Sequence, residues 1–188
     1  MGGVEEFFQK VDYYALAMKK KIFVADGAKW IWNYVETFYP ESIQILDFYH
    51  TKEHLCEYAV ERIQEQQARQ QWIDEQIILL FEDRVEEVIR NIKAKPLKST
   101  QKEKHLRRKL INYYESHKKP MRYKSFQNAG YLIGSGPIES AHRAVLQKRL
   151  KLSGQRWTKK GAQQILNLRT ANLSGDWLMV QKHIRKAA

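Results

Sequence analysis

The chain has 188 residues, 43% of them hydrophobic, and carries a formal net charge of +12 with a pI near 9.7. This is enough for one ordinary domain with a real core, or one domain plus an insertion. No apolar run approaches the roughly 18 residues of a membrane span, and no basic leader with an apolar centre opens the sequence. The single cysteine, Cys56, excludes an intramolecular disulfide and a cysteine-rich zinc site, so a soluble, cytoplasmic protein with no membrane partner is expected.

The charge is segregated. Asp and Glu outnumber Lys and Arg by 17 to 10 in residues 1–92, whereas Lys and Arg outnumber the acids by 23 to 4 in residues 93–188. A half-chain this basic attracts polyanions, and nucleic acid is the commonest of these in a cell. The alternatives are a merely solvated basic surface or an anionic membrane.

In chain order, Val4, Phe7, Phe8, Val11, Tyr14, Ala15 and Met18 recur at helical spacing and predict an amphipathic helix over 4–18. Ile22-Phe23-Val24-Ala25 is short, apolar and closed by Asp26-Gly27, which predicts a buried strand. Residues 28–38 read as a helix that stops before Pro40, and residues 42–48 as a second strand with Asp47 near its end. Strand, helix, strand predicts a βαβ crossover and a parallel pair. Two strands do not make a stable sheet alone, so other sequence or a partner must flank them.

From Glu41 to Lys95 there is neither glycine nor proline, and the spacing predicts two helices with Leu55, Ala59, Ile63, Trp72, Ile77, Leu80, Val85 and Ile89 buried. After Pro96, Ser99 or Thr100 can cap a basic helix over 101–117, which Lys118-Lys119-Pro120 ends. Residues 121–135 read as a connector. A helix then runs from Gly136, as its N-cap, to about Lys151, followed by a turn at Gly154 and a last helix near 159–172. No internal repeat is visible.

Three carboxylates stand out. Asp26 and Asp47 end strands that, if parallel, point them to the same edge, where α/β proteins gather ligands. Taken singly, an Asp at a strand end is also an ordinary turn former or helix cap. Glu139 falls in the first turn of its helix, where a carboxylate gains about 0.3–1 kcal/mol from the helix dipole, and its same-face neighbours are His142, Arg143 and Leu146. Spacing alone leaves Glu139 equally readable as structural. Gly134-x-Gly136 lacks the third glycine of a dinucleotide loop and the Gly-Lys-Ser/Thr of a P-loop, and neither Ser135 nor Ser140 sits in a nucleophile elbow.

Two stretches, FVADGAKWIWNYVETFYPESIQILDFYHTKEHL (residues 23–55) and IGSGPIESAHRAVLQKRLKLSGQRWTKKGAQQILNLR (residues 133–169), together resemble the C-terminal part of bacterial insertion-sequence transposases of the DDE type, related to the Mutator-like group. The helical stretch between them has roughly the length of the insertion such enzymes carry. The resemblance implies a helix-rich α/β protein with an incomplete RNase H-like core. That core would comprise two parallel strands plus helices, over residues 1–50 and 131–175, with a helical insertion over 51–130 and a C-terminal tail over 176–188.

It further implies a metal-dependent DNA strand-cleavage and strand-transfer enzyme holding two Mg²⁺ or Mn²⁺ ions, which activate the attacking oxygen and stabilise the leaving one. Asp26 matches the second catalytic aspartate and Glu139 the glutamate; both would bind metal. Asp47 and His50 match a D-x-x-H element beside the active site, although a lone His after a strand is also an ordinary surface residue. Arg143, Lys148, Arg149, Lys151, Arg156 and Lys159 would line a DNA strand, with Trp157 stacking on an unpaired base or packing in the core. The family's first aspartate belongs on a strand ahead of the 4–18 helix and has no counterpart here, since Asp12 lies inside that helical pattern. The resemblance therefore implies a transposase piece, inactive alone. Its partners would be terminal-repeat and target DNA, the missing N-terminal segment or a full-length transposase, and further copies in an active oligomer. A non-catalytic basic DNA-binding module that regulates transposition is the alternative. A product without a stable fold, its apolar strand edge exposed, is a third.

Overall fold

The computed structural model describes residues 4–96 and 100–187, and the chain divides into two compact units, Met1–Ser135 and Gly136–Ala188. Among the described residues no helix is long and apolar enough to cross a membrane.

In the first unit, α1 (Val4–Leu16) precedes β1 (Ile22–Ala25), α2 (Lys29–Phe38) and β2 (Ile43–Leu46). The strands pair in parallel, from Ile22 opposite Ile43 to Ala25 opposite Leu46. The turn between β1 and α2 is made by Asp26, whose Oδ1 accepts the Ala28 N–H at 3.0 Å, a local bond that competes well with continued strand. Pro40 stops α2, and the Tyr39 N–H closes its last turn on Val35 O. Asp12 lies on α1, as its spacing predicts, and accepts the hydroxyls of Tyr34 and Tyr39 at 2.6 and 2.5 Å; Phe8 stacks on Tyr34 beside it. These contacts fix α1 to α2.

The glycine-free stretch forms three helices rather than the two the spacing predicts: α3 (Phe48–Arg62), α4 (Gln66–Leu80) and α5 (Val85–Ala94). Glu65 breaks the first pair by capping α4, its carboxylate accepting the Gln67 and Ala68 amides. Asp83 breaks the second by taking the left-handed conformation, φ +62°, which Asp tolerates better than most residues. Leu55, Ala59, Trp72, Leu80, Val85 and Ile89 are buried as expected; Ile63 and Ile77 are only partly so, packed against the same cluster. Thr100 caps α6 (Gln101–Ser116) by accepting the Glu103 N–H; Ser99, the other candidate cap, lies outside the described residues.

The stretch 121–135 is more than a connector. A 3₁₀ turn (Lys119–Met121) and α7 (Tyr123–Asn128) place Met121 and Tyr123 in the core with no exposed surface. Helices α2 to α7 and the strand β2 share one apolar cluster, running from Trp32, Ile45 and Leu46 through Leu55, Tyr58 and Val88 to Tyr114 and Tyr123. The helices thereby supply the burial that two strands lack. The sheet is two-stranded, so the outer edge of β1 has no ladder partner among the described residues.

The second unit is helical. It comprises α8 (Gly136–Ala141), a π turn (His142–Gln147), α9 (Lys148–Leu150), α10 (Lys159–Leu173) and α11 (Trp177–Ala187). Gly136 opens α8 rather than capping it, so Pro137 and Glu139 sit one position deeper than the spacing predicts. The segment expected as a tail is the helix α11. Among the described residues of this unit none is buried.

Asp83 joins the α4–α5 turn to α7, since its carboxylate accepts the Lys124 N–H at 2.8 Å, the Ser125 N–H at 3.1 Å and the Ser125 hydroxyl. Asp83→Ala loses these bonds and leaves the left-handed backbone to a residue that tolerates it less well than Asp. It is expected to cost about 2–3 kcal/mol in a urea melt, and Asp83→Asn clearly less.

Candidate functional site

The carboxyl ends of β1 and β2 carry Asp26 and Asp47. The strands are still bonded there, with Asp47 N donating to Ala25 O at 2.8 Å. The two carboxylates are used differently. Asp47 is 2% exposed and N-caps α3. Its Oδ1 accepts the Tyr49 and His50 amides at 2.7 and 3.1 Å, and its Oδ2 accepts the Ser135 amide at 2.7 Å. Burial pushes its carboxyl up, but the bonds from Ser135, His50 and Tyr49 outweigh that and hold it below the usual carboxylate range. Asp47 is thus saturated by backbone donors and serves as a cap and clamp. His50, half-exposed, keeps Nδ1 at 3.6 Å from Asp47 Oδ1, which pairs the D-x-x-H residues in space without a hydrogen bond between their side chains.

Asp26 is half-buried. Its backbone carbonyl accepts Trp32 Nε1 at 2.7 Å and its Oδ1 holds the turn, while no hydrogen bond reaches Oδ2 among the described residues. One carboxylate oxygen is therefore free for a cation or donor. Tyr113 of α6 packs over the next residue. A β-carbon on Gly27 would stand 2.1 Å from Tyr113 Cε2, so only glycine fits under that ring. The Tyr113 hydroxyl is sealed from solvent without a partner among the described residues, and burial, then the Asp26 charge, pushes it up to about 12. Nothing in the sequence marks Tyr113; it reaches Asp26 from 87 positions away through helix packing.

The segment before Glu139 is held at the same edge of the sheet. Phe48 N donates to Ile133 O at 2.9 Å, Ser135 N is bonded to Asp47, and the Tyr49 ring fills the space over Gly134, where a β-carbon would meet it at 2.8 Å. The first unit ends on Ser135.

In the second unit Glu139 is exposed, as are Arg143, Lys148, Lys151, Arg156 and Lys159. Arg149 is half-exposed and lies over the Trp157 ring at 5.6 Å, and Trp157 Nε1 donates to Gln155 at 3.3 Å. Trp157 is therefore not a core residue, and one face of its ring meets a cation. Among the described residues no three or more His, Cys, Asp or Glu side chains form a group able to hold a metal ion. Asp26, with one oxygen unused, and Glu139, exposed in the other unit, each keep carboxylate oxygens without a hydrogen bond among the described residues. Asp47, with both oxygens occupied, keeps none.

The chain is thus a helix-rich α/β protein with a parallel strand pair whose carboxyl edge carries one saturated and one available carboxylate. It belongs to the uncharacterised protein family UPF0236, whose model matches residues 3–186. No curated protein and no solved structure matches it.

Two outcomes test this edge. Gly27→Ala drives a β-carbon into a buried ring and is expected to destabilise by about 1–3 kcal/mol. Adding Tyr113→Ala should make the second change cheaper than it is alone, a coupling that a double-mutant cycle measures. For Asp47 the folded carboxyl titrates lower than the unfolded one, so its contribution is complete above about pH 4 and is lost as pH falls through the folded value. The stability gap between the native protein and Asp47→Ala should therefore be widest near neutrality and shrink on acidification, followed by urea melts across pH.

Proposed function

We propose that the chain is the C-terminal part of a DDE-type DNA transposase with an RNase H-like core, and that it contributes Asp26 and Glu139 to a metal-dependent strand-cleavage and strand-transfer site. The observation that carries this reading is the carboxyl edge of the parallel pair. Asp26 ends β1 with an unused oxygen, Asp47 ends β2, and Asp47 grips Ser135, four residues ahead of Glu139. Mg²⁺, when bound, would polarise phosphate oxygens and ready the attacking hydroxyl. The chain's own residues supply hard ligands at Asp26 and Glu139, a turn locked by Ala28 and Trp32 that aims Asp26, and a cationic surface for the phosphodiester backbone. The open edge of β1 supports a further strand pairing there, and the third carboxylate would arrive with it. On this reading the chain is silent in cleavage until that strand is supplied.

Exposed Arg143, Lys148, Lys151, Arg156 and Lys159, with the Arg149–Trp157 stack, form the DNA-binding side. The same cations favour the second reading, a non-catalytic DNA-binding module that modulates transposition, which differs in needing no metal.

The experiment is cleavage of DNA carrying the ends of the encoding element, by the chain supplemented with the upstream transposase segment, with and without Mg²⁺. Metal-dependent cleavage abolished by Asp26→Asn or Glu139→Gln is expected; undiminished cleavage by Glu139→Gln would sink the catalytic assignment. In the same protein, replacing Lys151 and Arg156 together by alanine should reduce the slope of log affinity against log salt by about two, read between about 50 and 200 mM salt. Binding to a short duplex without metal, and no cleavage on supplementation, would favour the module.

A further inference from the structure

The helix that carries Glu139 is not one regular α-helix. From His142 to Gln147 it takes the wider π form, which in effect inserts one residue and turns everything beyond it by about 100° relative to an unbroken helix. One guanidinium takes two successive carbonyls of that turn. Arg169 on α10 donates through Nε to Val145 O at 2.9 Å and through Nη2 to Ala144 O. The side chains record the same widening, with Gln147 Nε2 lying 3.1 Å from His142 Nδ1, a partner five residues away rather than three or four.

The change of phase decides which residues accompany Glu139. In an unbroken helix its face would run through Arg143, Leu146 and Leu150, mixing a carboxylate with leucines. With one residue inserted, the face passes through Gln147 and Lys151 instead, and Leu146 turns aside, half-buried. Glu139, His142, Arg143, Gln147 and Lys151 then make a continuous polar strip. Ala144, Val145 and Leu146 of the turn are half-buried and none is fully buried, so the apolar packing there is partial. A planar fork with two parallel donors fits adjacent carbonyls in a way a single ammonium does not.

We propose that Arg169 is a positioning residue: by clamping the π turn it sets the helix phase that brings Gln147 and Lys151 onto the face of Glu139, His142 and Arg143, where they follow one phosphodiester backbone. This rests on the DNA-binding reading for its ligand, but not for the clamp itself.

The test uses the full chain, Arg169→Lys, and a variant lacking Ala144, in which the extra residue is removed. The first readout is the NMR cross-relaxation between the His142 ring and the Gln147 side-chain amide, present in the native chain and expected to vanish in both variants while far-UV circular dichroism keeps its helical signal. The second is the salt slope for binding a short duplex DNA. Arg169→Lys keeps the net charge, so a purely electrostatic role leaves the slope unchanged, whereas loss of phase should lower it by about one to two. Combining the two changes should lower it no further. Persistence of the His142–Gln147 signal in Arg169→Lys, or its absence from the native chain, overturns the clamp, and an unchanged slope alongside a lost signal overturns the phase argument. Should the native chain fail to bind DNA at all, the proposed function falls and the cross-relaxation alone still decides the clamp.

Discussion

The first unit is organised around a carboxylate with no vacancy. Asp47 ends β2, starts α3 and holds the Ile133–Ser135 segment, all through backbone amides directed at two oxygens. Charge-assisted bonds of this kind are roughly twice as strong as neutral ones, and together they outweigh the burial that pushes the carboxyl up and hold it below the usual carboxylate range. Without them the Tyr49 and His50 amides at the start of α3 would be orphaned, and the last segment of the unit would lose its Ser135 anchor. Asp26, at the end of β1, is set by its own turn, through the Ala28 amide and the Trp32 indole.

The same criterion, counting acceptors against donors, separates structural from chemical acids elsewhere. Asp12, Glu65 and Asp83 are each occupied by two or more donors and serve as clamps and caps. Asp26 spends one oxygen on its turn and keeps the other. Glu139 stands exposed among cations, where the favourable partner is either a base or a divalent ion. Buried or half-buried carboxylates with spare acceptors are expensive, and Asp26 is not alone: Glu103 of α6 is fully buried with no hydrogen bond to either oxygen among the described residues.

Much of this was legible in the sequence where local chemistry decides structure. Ile22–Ala25 closed by Asp-Gly, and an apolar run ending at Asp47, suffice to give two strands and their sense. What stayed hidden was set by tertiary contact. Asp83 breaks a helix without glycine or proline, because its side chain is rewarded by amides 41 and 42 residues on. Met121 and Tyr123 look like linker residues until the 3₁₀ turn and α7 carry them into the core. Tyr113 over Gly27 is a steric fact with no sequence signature. The π turn defeats periodicity altogether, since a 3.6-residue template puts Leu146 on the face that Gln147 occupies. At Glu139 the spacing was ambiguous between helix-dipole ballast and a ligand, and the ambiguity was physical: both readings need the same residue in the same turn.

The two units solve opposite problems. The first folds by burying Ile, Leu, Tyr and Trp around β2, with α6, the 3₁₀ turn and α7 of the basic stretch adding Leu110, Tyr114, Met121 and Tyr123 to the same cluster. The second has no fully buried group among its described residues; it is held by helix ladders, by the Thr158 cap on Gly161, and by Arg169 on two carbonyls. Self-repulsion among its cations opposes compaction. The second unit therefore keeps its form through hydrogen bonds rather than through a core, and a bond such as that of Arg169 to two carbonyls weighs more there than any one apolar contact.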